Sequence, residues 1–322
     1  ESLTWIKDME VIGDSLFAAS GSDIYKIEFS GTTATVSKVR LSGLDTSSVY
    51  FEKMASSGNV LYLASYGSIY SVTLADGQGG TTTGTVTEIE PSFTTASYYN
   101  TGSEVPYSNY FYDLVAIATG IYLTDYSNKL IRKIDTSTSS ITTLAGRVEN
   151  FADGTGEDAE FKSFNSYSGN LRVSGTDIYV RDDQRIRKVD SNTGEVSTFQ
   201  TNVDADHMHR WTILGTDIYY YYEEYSSGSY TRRIFKLSPD GSANELVLNN
   251  YTIEGYVSGL TSDGTDLLIG ESTGGTVKFS RVAVDTGVVT SYTTAGESLT
   301  WIKDMEVIGD SLFAINLSLI HI

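Results

Sequence analysis

Residues 175–200 read GTDIYVRDDQRIRKVDSNTGEVSTFQ. The opening Gly-Thr-Asp suits a tight turn, because glycine reaches positive φ without steric cost and Asp bonds its own backbone. The β-favouring Ile178, Tyr179 and Val180 then begin a strand. The polar break RDDQR leads to a second apolar segment, IRKVD (186–190), and the turn DSNTGE leads to a third, VSTFQ (196–200). Three short strands with two short connectors make an antiparallel meander. Ile186 and Val189 stand three positions apart, so the strand is not apolar on one face alone. It reads as a strand covered on both sides, with the Lys188 stem laid over apolar surface.

The phrase recurs along the whole chain. Turn-plus-apolar-pair marks occur as GDSLF (13–17), GNVLY (58–62), ATGIY (118–122), GTDIY (175–179 and 215–219), GTDLL (264–268) and GDSLF again (309–313). Third-strand segments follow, such as IYKIEF (24–29), IYSVTL (69–74), IRKID (131–135) and IFKLS (234–238). Fourth-strand segments come next: ATVSKV (34–39), TVTEI (85–89), ITTLA (141–145), ELVLN (245–249) and VVTSY (288–292). A segment ahead of each mark, WIKDMEVI (5–12) or WTIL (211–214), completes a set of four. Four antiparallel strands per repeat is the unit of a β-propeller, and the marks stand roughly 49 residues apart, a blade's length. The expected fold is therefore all-β, a six-bladed β-propeller of four-stranded antiparallel blades over residues 1–296. The alternatives are seven blades, or six blades plus a surplus hairpin. The 30 Gly, 23 Tyr and only 3 Pro fit many short strands and turns better than helices.

Residues 297–314 repeat residues 1–18, ESLTWIKDMEVIGDSLFA, letter for letter. This second copy is either surplus or closes the first blade in place of the head. Loop-closure entropy favours the head copy remaining with its own third and fourth strands. Residues 315–322, INLSLIHI, depart from the first copy and read as the non-native tail of a metagenomic gene fragment, leaving His321 without a role. The chain starts at Glu1 rather than Met and is expected to belong to a longer one, with an extracellular or cell-surface setting favoured.

Asp and Glu total 41 against 22 Lys and Arg, a formal charge of -19, and this acidic field repels phosphate backbones. Nucleic acid is excluded as a partner class on that ground. Without Cys there is neither a disulfide frame nor a thiolate ligand. The longest largely apolar stretch, 312–322, is short of the roughly 20 residues a membrane helix needs, so no membrane insertion is expected.

Residues 121–146, IYLTDYSNKLIRKIDTSTSSITTLAG, followed by FADGTGEDAEF (151–161), resemble the NHL repeat. The matching positions are Asp125, Asn128, Ile131 to Lys133, Ala145 and Gly146, then Asp153, Gly154 and Gly156 in the Asp-Gly-Thr-Gly loop. The next blade keeps Asp183, Ile186 to Lys188, Thr193 and Gly194. The resemblance implies a propeller that serves as a protein- or ligand-binding platform. Related six-bladed folds include metal-dependent lactonases and a peptide lyase, so it also implies, as the alternative, a hydrolase or lyase with a central-channel site.

Long connections fall on the face where second strands pass to third and one blade passes to the next: 92–111, 147–166, 200–210 and the insertion EEYSSGSYTRR (223–233). Binding residues concentrate on long loops held by a rigid scaffold. That face is expected to present Tyr98, Tyr99, Tyr107, Tyr110, Tyr225 and Tyr230 to a protein or glycan, although tyrosines also pack loops onto blades. DADHMH places Asp204, Asp206, His207 and His209 at a spacing that zinc could use, but a third His is lacking apart from His321, so the stretch reads as a solvated loop rather than a metal site. DGTGED (153–158) superficially resembles a calcium loop but lacks the alternating Asp spacing, so it reads as a structural turn. No nucleophile elbow, H-E-x-x-H or phosphate loop is present. The reading is a non-catalytic binding module without a cofactor, calcium or zinc being the alternatives. A structural repeat of a larger surface protein is the third possibility.

Overall fold

The structure is a computed structural model, and it describes residues 6–30, 33–43, 49–65, 68–76, 81–89, 111–126, 128–138, 140–147, 151–164, 171–201, 203, 210–240, 242–249, 251–292, 302, 304–309, 311–315 and 319–321. Six β-sheets follow one another with the connectivity of propeller blades. Blade 1 comprises Ile6–Ile12, Ser15–Ser20, Asp23–Ser30 and Thr33–Lys38. Blade 2 comprises Lys53–Ser57, Val60–Ser65, Ser68–Asp76 and Thr82–Ile89. Blade 3 comprises Phe111–Ile117, Gly120–Asp125, Leu130–Ile134 and Ile141–Ala145. Blade 4 comprises Leu171–Ser174, Asp177–Asp182, Arg185–Asp190 and Glu195–Thr201. Blade 5 comprises Arg210–Leu214, Asp217–Ser226, Ser229–Leu237 and Ala243–Glu245. Blade 6 comprises Tyr256–Ser262, Leu267–Thr273, Thr276–Val282 and Val289–Tyr292. The chain is a β-propeller of six such blades, and its one helical turn among the described residues is Gly156–Asp158.

Two compact units divide the sequence, blades 1 to 4 falling in residues 6–201 and blades 5 and 6 in residues 202–322. Within each unit the first strands of consecutive blades lie side by side. The cores lie between sheets. Leu61 and Leu63 of blade 2 join Phe17, Ala19 and Ile24 of blade 1 in one cluster, whereas Tyr62 and Ala64 join Ile121 and Leu123 of blade 3 in the next. Successive side chains of a strand point to opposite faces, so a strand apolar at every position needs cover on both. Blades 3 and 4 share a third cluster around Tyr122, Phe161 and Val180, and blades 5 and 6 share a fourth around Tyr221, Val257 and Ile269.

Two blades carry a fifth strand that the four-stranded reading did not contain. Arg40–Ser42, on its way out of blade 1, pairs parallel with the last strand of blade 2. Gly154–Thr155 pairs antiparallel with the last strand of blade 4. Blade 5 shows the same economy: its fourth strand ends at Glu245 rather than running over 245–249, and Asn249 goes on to bridge Val288 on the edge of blade 6. Each departing segment thus caps backbone groups of the next sheet's outer edge, which would otherwise be left unpaired.

The head copy of the repeated phrase pairs with its own third strand, Leu16 opposite Ile27 and Ser20 opposite Asp23. The second copy forms a separate three-stranded sheet, Asp304–Ile308, Ser311–Ile315 and Leu319–His321.

Asp135, Asp190 and Asp240 open the turns between third and fourth strands. Asp190 accepts the Asn192 and Thr193 N–H groups, both at 2.8 Å, and Asp135 accepts Ser137 N–H at 2.8 Å. Hydrogen bonds from Ser137 hold the Asp135 carboxyl below its ordinary value, the Thr193 and Asn192 amides do so for Asp190, and Ser242 does so for Asp240. A carboxyl whose folded pKa is depressed contributes stability above its unfolded value near 3.8, and that contribution disappears as pH falls through the folded pKa. Asparagine at all three positions keeps an acceptor but removes the titration, so urea midpoints measured downward from pH 4 should fall less steeply than in the parent. Parallel curves would contradict this. Phe161, fully buried with its ring centroid 5.3 Å from that of Phe164, should cost about 3–5 kcal/mol when changed to alanine. Equilibrium unfolding in urea measures that loss.

Candidate functional site

A residue at or near the end of the second strand is a buried acceptor in several blades. In blade 4, Asp182 accepts the N–H groups of Lys162 (2.7 Å) and Ser163 (3.0 Å) and pairs with Arg187 at 2.9 Å, both side chains wholly buried. In blade 6, Glu271 accepts Glu254 N–H (2.8 Å), Gly255 N–H (2.7 Å) and Tyr251 O–H (2.7 Å). Ser65 of blade 2 does the same for Tyr50 N–H at 3.2 Å. In blade 3, Asp125 takes Asn128 Nδ2 at 2.9 Å and Arg132 Nη2 at 3.0 Å. Each side chain fastens either the segment entering its blade or the turn beyond it. Burial pushes the Asp182 carboxyl up, against the pull of its amide and Arg187 partners. Burial also raises Tyr251, whose hydroxyl is pushed up to about 12.

The motif residues lie in this scaffolding. Asp153 accepts from Arg187 Nη2 at 2.9 Å and from Thr198 Oγ1 at 2.8 Å. Desolvation of Asp153 is outweighed by the Thr198 and Arg187 interactions, so its pKa falls. Gly154 lies in the added strand, Gly156 sits at φ 58, and Asp183 is the turn residue at φ 54 beside the buried Asp182. Asp182, rather than Asp183, occupies the place that Asp125 has in blade 3. The described part of the 147–166 connection is folded into its blade, with Ala159, Phe161 and Phe164 buried. The equivalences at Glu271 and Ser65 escape the sequence because residue type changes while only the acceptor role is kept.

A second polar set lies on the first strands of residues 6–201. Lys53 Nζ stands 3.9 Å from both Asp8 Oδ1 and Asp113 Oδ1, and Arg172 Nη1 stands 4.0 Å from Asp113 Oδ2. Asp8 also accepts Met54 N–H and Asp113 accepts Leu171 N–H, each at 2.8 Å. These carboxylates alternate with cations and tie neighbouring first strands together. Among the described residues no group of three or more His, Asp or Glu is placed to hold a metal ion.

Among the described residues the most exposed aromatic pair belongs to blade 5. Its first strand pairs only as far as Tyr221 and its fourth only as far as Phe235, whereas the second and third strands continue to Ser226 and Ser229. Residues 223–233, expected as a loop insertion, are therefore a two-stranded arm. Ser227 at φ 54 and Gly228 at φ 85 close it, positive φ at both central positions being the turn that matches strand twist. The arm is braced at its base. Glu223 accepts Tyr221 O–H at 2.8 Å and Arg232 Nε at 2.6 Å, and Arg232 Nη1 donates to Glu254 O at 2.6 Å. Burial and the adjoining Glu223 push the Tyr221 hydroxyl up, keeping it protonated as a donor. At the tip, Tyr225 (64 % exposed) faces Tyr230 (53 %) with ring centroids 4.8 Å apart, and the Arg232 guanidinium lies 4.6 Å from the Tyr230 ring. Tyr98, Tyr99, Tyr107 and Tyr110, and the Asp204, Asp206, His207 and His209 set, lie outside the described residues.

No family model matches the chain, and no curated protein matches it in sequence. Solved structures do resemble it. YCF48 bound to D1 peptide has TM-score 0.65 at 12% identity, with 99% of this chain and 92% of that one covered. PorZ, a bacterial surface component of the type-IX secretion system of Porphyromonas gingivalis, has TM-score 0.56 at 9% identity, covering 100% of this chain. The extracellular domain of the putative hybrid two-component system BT4673 from B. thetaiotaomicron has TM-score 0.54 at 10% identity, covering 99% of this chain. The chain spans only 37% and 38% of the length of the latter two. At these identities the likeness shows the propeller fold. No helix among the described residues is long and apolar enough to cross a membrane.

Tyr225→Ala and Tyr230→Ala should each cost less than about 1 kcal/mol, the worth of an exposed cross-strand pair. Arg232→Ala should instead loosen the arm, raising amide hydrogen exchange at residues 222–231. Unchanged exchange there would show that the base does not brace the tip.

Proposed function

We propose that this chain is a non-catalytic, NHL-like binding module that takes a protein or glycan on the face bearing the blade 5 arm. The observation that carries the reading is the exposed Tyr225–Tyr230 pair held on a braced hairpin. Tyrosine supplies large contact area and a hydrogen-bonding tip at low entropy cost, and an arm stiffened by Glu223 and Arg232 loses little freedom on binding. Glu224, exposed beside the pair, adds an acidic edge that suits a partner with basic side chains. A propeller of similar fold carries a bound peptide, which makes a peptide segment the favoured form of ligand. Two of the similar folds belong to a surface component and an extracellular domain, and a surface or extracellular setting is proposed here by analogy. No cofactor takes part in this reading.

A displayed random-peptide library and an immobilised glycan panel, both probed with the full chain, test it. Ligands recovered on the parent should bind the Tyr225→Ala/Tyr230→Ala variant at least tenfold more weakly, since interface tyrosines are commonly worth 2 kcal/mol or more. Retention of affinity by that variant would move the site elsewhere.

A further inference from the structure

The second copy of the repeated phrase does not rest on generic apolar surface. Ile302, Met305, Leu312 and Ala314 pack with Leu268, Val277 and Phe279 of blade 6 in one buried cluster. Two glycines of blade 6 make the room. A Cβ on Gly259 would stand 2.7 Å from Met305 Sδ, and one on Gly270 would overlap Ile302 Cδ1. Neither glycine has positive φ, so backbone conformation does not require them; the approach of these two side chains does. Ser258, fully buried next to Gly259, donates to Gly270 O and accepts Ile302 N–H, each at 3.3 Å. The face is therefore shaped to one pattern, an Ile and a Met three residues apart followed by Leu-x-Ala. The chain carries that pattern twice, as Ile302, Met305, Leu312, Ala314 and as Ile6, Met9, Leu16, Ala18.

We propose that this face of blade 6 is a receptor for the hairpin sequence ESLTWIKDMEVIGDSLFA itself, and that it accepts the hairpin from a second copy of the chain when its own is withdrawn. Copies then join by exchange of identical hairpins, which reproduces every contact of the intramolecular state and so needs no new surface. The intramolecular hairpin has the advantage of effective concentration, which keeps the face filled within one chain until that hairpin is disabled.

The test uses the full chain carrying Ile302→Asp and Met305→Asp, which disables the attached hairpin and leaves the head copy unaltered. A fluorescent synthetic peptide of residues 297–314 should bind this variant saturably, one per chain, and at least tenfold more tightly than it binds the parent. Adding Gly270→Ala to the variant, or placing Asp at the Met position of the peptide, should abolish binding. Equal binding to parent and variant, indifference to Gly270→Ala, or no binding by a variant whose blade 6 amides remain protected would each overturn the proposal. If the double variant fails to fold, Gly270→Ala alone in the full chain decides the matter. It should deprotect amides of residues 304–315 while leaving residues 6–20 protected, followed on fragments that extend into the differing residues after Ala18 and Ala314. Equal protection of both copies would overturn the proposal as well.

Discussion

Blades 2, 3 and 6 each contribute to two separate apolar clusters, one on either face, and the rest of the architecture follows from that constraint. A strand such as Val60–Ser65, buried at five of its six positions, sends Leu61 and Leu63 to one neighbour and Tyr62 and Ala64 to the other. Burying a large apolar side chain stabilises by about 1.5–3 kcal/mol, so a sheet left uncovered on either face would forfeit several such contributions. Flanking blades are thus a condition of each blade's own stability, and stacking successive four-stranded units is the arrangement that meets it.

Polar groups trapped by this stacking are consumed locally. Asp182 and Glu271 turn buried carboxylates into anchors for backbone N–H groups of entering segments, and Arg187 joins Asp182 and Asp153 at once. Leaving such acceptors unmatched in a low-dielectric interior costs more than the bonds themselves gain, which explains why acids here come with donors in reach. The charged first-strand set follows the same logic: Asp8 and Asp113 each accept a backbone N–H and share Lys53. Among the described residues the strand pairing stops short on the arm that outruns the other two strands of blade 5, where Tyr225 and Tyr230 stand exposed.

The repeat was legible because a tight turn and an apolar pair are local signals, readable at every mark from Gly13 to Gly309. Strand number per blade was less so. The fifth strands at Arg40–Ser42 and Gly154–Thr155 are short and take their identity from a partner that is remote in sequence. The stretch 223–233 looked like a loop because Ser, Gly and charged residues dominate it, yet cross-strand pairs such as Glu223 with Arg232 and Tyr225 with Tyr230 make it a hairpin. Ser65 and Glu271 share a role with Asp125 and Asp182 that no residue-type motif records.

By itself, then, the sequence determined the class of fold, the blade period and the antiparallel meander, since these depend on turn chemistry and on side-chain patterning within a few tens of residues. Tertiary structure alone decided which carboxylates are buried anchors, where segments leaving one blade pair with the next, and which tyrosines stand exposed. Those outcomes depend on what lies against each side chain in space, and a neighbour forty residues away leaves no mark in the local pattern.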